Sequence, residues 1–429
     1  MKTIFYLLSY FLIQTSAFSQ HVPTPANINN VWYPAFKNGK MGYINSLGQG
    51  VANFTMQPLA YYDLKSYEND FIIIKSDEVK GAFSKNAKQI LDYKFVDIDY
   101  CDLANLFRVA LKADNYDKEP YQALLPPKKI GFYTLAGVEQ IKPKLMSGGF
   151  YDCGYDFYND LCYVSENKKI GYINTKGVLV IPTIYTQASD FKNGFAIVQA
   201  TDKGLFGVID TKGKLVIPYT YKNIGSFSTR GIALANIPNN KVEQVLINTK
   251  GKIIKNLGNI VVGNLVNTLY KFDNGSFIAS DTTTKKFGLI NEKGEAICPF
   301  KYSGVTNSLT NNILIANING TKSKDDWWNE TTGGSWVLVN TVTGKEICQP
   351  IAAEKLGVLS DGMVAFMRNG KWGFLNSNGK EIIKPTYGYV QAFEFGLARV
   401  FNKKPSFMDD GPPQMGYINK TGEIVWEIQ

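Results

Sequence analysis

Along most of the chain, apolar and polar residues alternate in short runs, and clusters of glycine, asparagine, aspartate and lysine separate the runs. A period of two belongs to a half-buried strand, and no segment keeps a helical apolar period over any useful length. Ile170-Gly-Tyr-Ile173 therefore predicts a strand, and Asn174-Thr175-Lys176-Gly177 predicts a type I turn. Asparagine at the first corner bonds the backbone through its side chain, and glycine at the fourth accepts a left-handed conformation. A β-branched strand follows, Val178-Leu-Val-Ile181, ended by Pro182. After a connecting stretch, Gly194-Phe-Ala-Ile-Val198 predicts a third strand. The unit reads as a short three-stranded meander.

The pattern recurs. With Gly171 and Gly373 as origins, Ile173 matches Leu375, Asn174 matches Asn376 and Gly177 matches Gly379. In the same register Tyr185 matches Tyr387, Phe191 matches Phe393 and Val198 matches Val400. The frame also fits at Gly42, Gly81, Gly131, Gly207, Val245, Gly288, Val337 and Gly416. Three positions after each origin stands a short polar turn-former: Asn45, Ser84, Thr134, Asn174, Asp210, Asn248, Asn291, Asn340, Asn376 and Asn419. Successive origins lie between 36 residues apart (Gly171 to Gly207) and 50 (Gly81 to Gly131).

Lys371-Trp372-Gly373-Phe374-Leu375-Asn376 gives one copy a Lys-Trp-Gly-aromatic-aliphatic-Asn core. On this motif and its recurrence the chain resembles the bacterial WG-repeat (KWG-repeat) family over nearly all of its length. Most copies replace the tryptophan, with Met41, Ile130, Ile170, Phe206, Phe287 or Met415, while the eighth keeps Trp336 but has Val337 for the glycine. The resemblance implies a generic scaffold of surface and secreted proteins and no particular ligand.

Units that bury one face only against their neighbours form arrays, and a chain of this length exceeds one hydrophobic core. The expected fold is all-β: a tandem array of about ten three-stranded units over residues 20–429, the last unit partial. Propellers usually have about four to eight blades of four strands each. An open, curved or superhelical array is therefore expected, with a closed propeller-like ring as the alternative.

The N-terminus changes the picture of where the protein works. Lys2, the apolar run Ile4 to Ile13 and the small residues Ser16, Ala17 and Ser19 have the layout of a signal peptide over residues 1–19. The run is too short for a membrane span, and no later stretch approaches one. No cysteine follows it for lipid attachment. An exported, monomeric, periplasmic or extracellular product is expected, and the end of the chain in the tenth unit disfavours covalent surface display. The formal charge of +9 rests on lysines scattered through turns rather than on a basic block, so nucleic acid is not an expected partner.

Composition also removes chemistry. The single histidine, His21, lies beside the expected mature N-terminus, so His-based triads and zinc sites are not expected. Five cysteines without CxxC spacing suggest no metal site or disulfide framework, although Cys153 and Cys162 could pair. Cys162, Cys298 and Cys348 sit in apolar runs, as small hydrophobes do. No cofactor and no catalytic residue is expected. The enzymatic alternative rests on two aspartate clusters, Asp97, Asp99 and Asp102, then Asp152, Asp156 and Asp160, with paired carboxyls acting on a glycosidic bond or oxygens on calcium.

Aromatics make up 13% of the chain, but Tyr185, Tyr221, Tyr302 and Tyr387 recur at one frame position, as do Phe191, Phe227 and Phe393, so they are expected to pack. The candidate binding residues lie in three insertions at one topological place, before an origin. They are Tyr116 and Tyr121 in the first, Asp325, Asp326, Trp327 and Trp328 in the second, and Asp409 and Asp410 in the third. In a regular array all three leave by one rim. Paired tryptophans beside carboxylates suit an interface anchor. The expected function is a non-enzymatic scaffold binding a protein or glycan at the cell envelope, with a purely structural envelope protein as a further alternative.

Overall fold

The computed structural model describes residues 30–56, 66, 69–76, 78–86, 88–112, 128–147, 154–166, 168–238, 243–262, 274–305, 312–322, 331–405 and 414–427. Residues 1–19, expected to be a signal peptide, Cys153, Asp152 and all eight candidate binding residues lie outside these. Within them the fold is all-β with no α-helix, and the strands form ten antiparallel sheets plus one two-stranded hairpin.

The repeat explains each sheet. In the fifth, Gln187–Ala188, Phe195–Gln199, Phe206–Asp210 and Leu215–Tyr221 pair in that order. The third strand carries the motif glycine, and the turn after it leads to the fourth. Asp210 Oδ1 accepts the amides of Lys212 at 2.9 Å and Lys214 at 3.0 Å, while Gly213 takes φ +78°. Asn174, Asn248, Asn291, Asn376 and Asn419 make the same pair of bonds. The motif glycine has a different cause. The fourth strand bulges over it, and a Cβ on Gly171 would stand 2.5 Å from the Ile181 carbonyl oxygen, one on Gly207 2.7 Å from that of Ile217. Where valine replaces the glycine, the fourth strand departs from this course. Val245 pairs directly with Asn256, and beyond Val337 only isolated bridges remain, Val339 to Glu346 and Trp336 to Ile351.

Two expectations need correction. Seven blades have a further, first strand where the connecting stretch runs: five of two or three residues, at Gln187–Ala188, Asn223–Ile224, Ile260–Val262, Gly304–Val305 and Tyr389–Val390, and two longer, at Asp97–Cys101 and Lys355–Ser360. The five shorter ones are too short to show a period. Fourth strands alternate exposed and buried residues, so they form the outer edge of each blade and the first strands the inner edge.

The open array is also overturned: the blades are arranged in a ring like a β-propeller. Turn glycines pack on the fourth strand of the preceding blade, Gly177 on Ile141, Gly213 on Ile181, Gly251 on Ile217 and Gly422 on Ile383. Gly48 of the first blade repeats this contact on Val425 of the tenth. Across the same seam Tyr33 Oη donates to the Phe395 carbonyl at 2.6 Å and Tyr417 Oη to the Pro34 carbonyl at 2.8 Å. The reason lies in the end faces. A solenoid needs polar caps, but the first blade turns Tyr33, Phe36 and Met41 outward and the tenth turns Leu397, Phe401 and Met415. Closure buries both sets in one cluster, at roughly 1.5–3 kcal/mol for each large side chain. The recurring aromatics pack as expected, with Tyr185, Tyr221, Tyr302, Phe191, Phe227 and Phe393 buried and Tyr387 half-buried.

Candidate functional site

In an up-and-down blade the connections between strands two and three all leave by one face of the ring, and the Asn-x-x-Gly turns leave by the other. The three insertions occupy that first connection in the third, eighth and tenth blades. Their candidate residues are outside the described ones, but the strand ends that carry them are described. In the third blade Lys112 pairs with Lys128, and Lys112 Nζ lies 2.9 Å from Glu78. In the tenth Phe401 pairs with Met415, Tyr389 packs on Phe401, and Lys404 Nζ lies 6.0 Å from the Tyr389 ring centre.

The eighth blade holds its insertion most firmly. A second hairpin, Thr321–Lys322 with Thr331–Thr332, continues the strands outward. At its base Asn317 is fully buried. Its Nδ2 donates to the Gly333 carbonyl at 3.0 Å, and its Oδ1 accepts from Gly320 N at 2.8 Å and Ser303 Oγ at 2.9 Å. Gly333 and Gly334 take φ +69° and +66°, which β-carbon-bearing residues resist. An amide satisfied on both ends fixes the exit direction of the chain. The opposite face is plain by comparison: Lys176, Lys212, Lys250 and Lys293 stand exposed at successive turns.

The carboxylates of the enzymatic alternative are mostly committed to structure. Asp97 lies 2.6 Å from Lys80 and 3.8 Å from Lys128. Burial pushes its pKa up, but these cations outweigh burial and hold it below the usual range. Asp99 lies 3.7 Å from the buried Arg108, whose guanidinium stacks 4.6 Å from the Tyr155 ring centre. Asp156 accepts the amides of Leu103, Ala104 and Phe157 at 3.0, 3.3 and 2.7 Å, which ties the third blade to the fourth. Asp102 and Asp160 are exposed. No group of three metal-binding side chains occurs among the described residues. Cys101, Cys162 and Cys298 are buried and Cys348 is half-buried.

The fold also brings together a pair that the sequence reading missed. Asp190, in the fifth blade, feels the Asp156 carboxylate of the fourth. Burial first, and Asp156 second, push its pKa up to about 7. One of its oxygens, Oδ1, is buried without a hydrogen-bond partner. The two aspartates lie far apart in the chain, and no local pattern links them.

Comparison with known proteins agrees with this architecture. The family described as "WG containing repeat" matches residues 170–203, 206–241, 287–321 and 372–404. No curated protein matches the chain. Among solved structures, one of the eukaryotic initiation factor is 10% identical with a TM-score of 0.53, over 82% of this chain and 94% of that one. The likeness concerns the fold alone. The dihydro-heme d1 dehydrogenase NirN is 9% identical over 82% of this chain and 75% of that one, and its TM-score of 0.35 is too low to carry an argument. No helix among the described residues is long and apolar enough to cross a membrane.

Proposed function

Because the chain is a WG-repeat-containing protein, we propose that it is an exported, non-enzymatic scaffold of a bacterial envelope that binds a protein or glycan through the insert face of its ring. The observation that carries this reading is the asymmetry of the two faces. All three long connections start from strand ends on one face, and the eighth is anchored by the buried Asn317. A rigid support that presents variable loops is the usual arrangement of a recognition surface. Trp327 and Trp328, flanked by Asp325, Asp326 and Glu330, supply the aromatic anchors that dominate interface energetics. Tyr116 and Tyr121, in the third blade's insertion, and Asp409 and Asp410, in the tenth's, are the further contributors that this reading assigns to the same face.

The carboxylate-enzyme alternative has less support, since Asp97, Asp99 and Asp156 are held by cations or backbone amides. Export rests on the N-terminal layout of residues 1–19, and N-terminal sequencing of the secreted product tests it. The binding test sets the mature chain, residues 20–429, beside a Trp327→Ala/Trp328→Ala variant, against envelope glycans and an envelope protein extract. A ligand held by the first and released by the second supports the reading. Equal retention, or none by either, overturns it.

A further inference from the structure

A cleft of about 470 Å³ opens at the inner part of the ring, against the ninth and tenth blades. Its origin is one register position. Opposite the residue that follows the motif origin, the second strand carries Ile73, Arg108, Tyr163, Ile197, Leu234, Ile278, Ile315 and Arg399 in most blades. The ninth blade has Ala365 there, opposite Phe374. Beside it the first strand bulges between Leu356 and Leu359, and Gly357 and Val358 of the bulge line the cleft with Ala365. The ring is not slack elsewhere in this interface: Phe374 and Phe393 stack edge-on at 4.7 Å.

The walls say what would fill it. The half-buried Trp372 and Tyr389 supply aromatic lining, and Gln391, Glu394 and Arg399 supply polar lining. Arg399 is held in place by its bonds to Tyr417 Oη and Gln391 Oε1, each 3.0 Å. A wholly apolar ligand would strip water from Glu394 and Gln391 without return. A singly charged ligand would meet a carboxylate and a guanidinium of opposite sign. A neutral molecule with an apolar face and a rim of hydroxyls satisfies both conditions, and that describes a pyranose ring. The volume equals that of roughly 15 waters at about 30 Å³ each and lies in the range of small-molecule sites.

We propose that the cleft formed by Ala365, Gly357, Trp372, Tyr389, Gln391 and Glu394 binds a neutral saccharide of one or two pyranose rings. This deepens the glycan part of the preceding reading; of the cleft residues Tyr389 packs on Phe401 at the base of the tenth blade's insertion, and the double tryptophan variant below separates the two readings. The test is calorimetric titration of the mature chain with cellobiose, maltose and N,N′-diacetylchitobiose, with tryptophan fluorescence in parallel. Ala365→Ile installs the side chain that other blades carry and closes the cleft, and its melting temperature should equal or exceed that of the parent. Glu394→Gln, at an exposed position, changes the polar edge without touching the core. Saturable binding of at least one probe, weakened tenfold or more by Ala365→Ile and measurably by Glu394→Gln, is expected. The Trp327→Ala/Trp328→Ala variant should bind the sugar unchanged. Binding that survives Ala365→Ile, or no binding of any probe by a folded parent, overturns the proposal.

Discussion

Replacing Asp190 by asparagine isolates one electrostatic cost of ring assembly. The carboxyl sits among Asp156, Tyr158 and Tyr172, and burial with the Asp156 charge raises its pKa from 3.8 to about 7. Tyr172 Oη donates to the neighbouring Ser189 carbonyl at 2.7 Å, so it is not spent on Asp190. A raised carboxyl pKa means that the folded state holds a proton which the unfolded chain has released. The cost is therefore absent below pH 3.8, grows as pH rises from about 4 to 7, and stays constant above. At 1.36 kcal/mol per pKa unit, the full shift corresponds to about 4 kcal/mol, and water reaching the half-buried group reduces it toward about 2 kcal/mol. Asparagine keeps the shape and cannot ionise. Thermal melting of both proteins at pH 4 and pH 8 is the assay. Asp190→Asn should melt a few degrees higher at pH 8 and with little difference at pH 4. A gain that is the same at both values, or a loss at pH 8, would refute the reasoning.

Three further substitutions probe other joints of the fold. Gly171→Ala should lower stability by about 1–3 kcal/mol, because its Cβ meets the carbonyl of the bulged fourth strand, and chemical denaturation reads the change. Tyr417→Phe removes the donor to Pro34 and the acceptor for Arg399 at the seam, at a cost of about 1–3 kcal/mol. Hydrogen exchange should then rise first in the first and tenth blades. Asn317→Ala leaves Gly320 N without its bond to Oδ1, and partner binding at the insert face should weaken although no insertion residue has changed. Unchanged affinity there would separate the eighth blade's insertion from the partner site.

Much of this architecture is legible in the chain, and what is not has a physical reason. The strand-turn-strand unit follows from asparagine at Asn174 and glycine at Gly177, and the turn forms with the bonds their chemistry dictates. The first strands of two or three residues in five blades escape a periodicity argument, since so few residues have no period. Closure is a property of the whole ring, yet a signal for it existed: Tyr33, Phe36, Leu397 and Phe401 leave no polar cap at either end of an open array. Ala365 reads as one more small strand residue until pairing with Phe374 aligns it with Ile197 and Ile315. The Asp156–Asp190 pair depends on two blades meeting, which no local pattern encodes. The insertion residues announce themselves by departing from the repeat, and their geometry falls outside the described residues.

The closed ring is the claim on which the insert face, the seam and the interblade cleft all depend. Leu47 and Ile424 lie on the two sides of the seam and are 70% and 58% exposed. Nitroxides attached there through ketone-bearing side chains leave the five cysteines untouched, and electron–electron double resonance then measures their separation. A closed ring places the labels one blade apart, within roughly 20 Å once the sheet spacing of about 10 Å and the label arms are counted. A distribution centred beyond about 40 Å, several such spacings, would mean that the first and tenth blades do not meet, and would contradict the account.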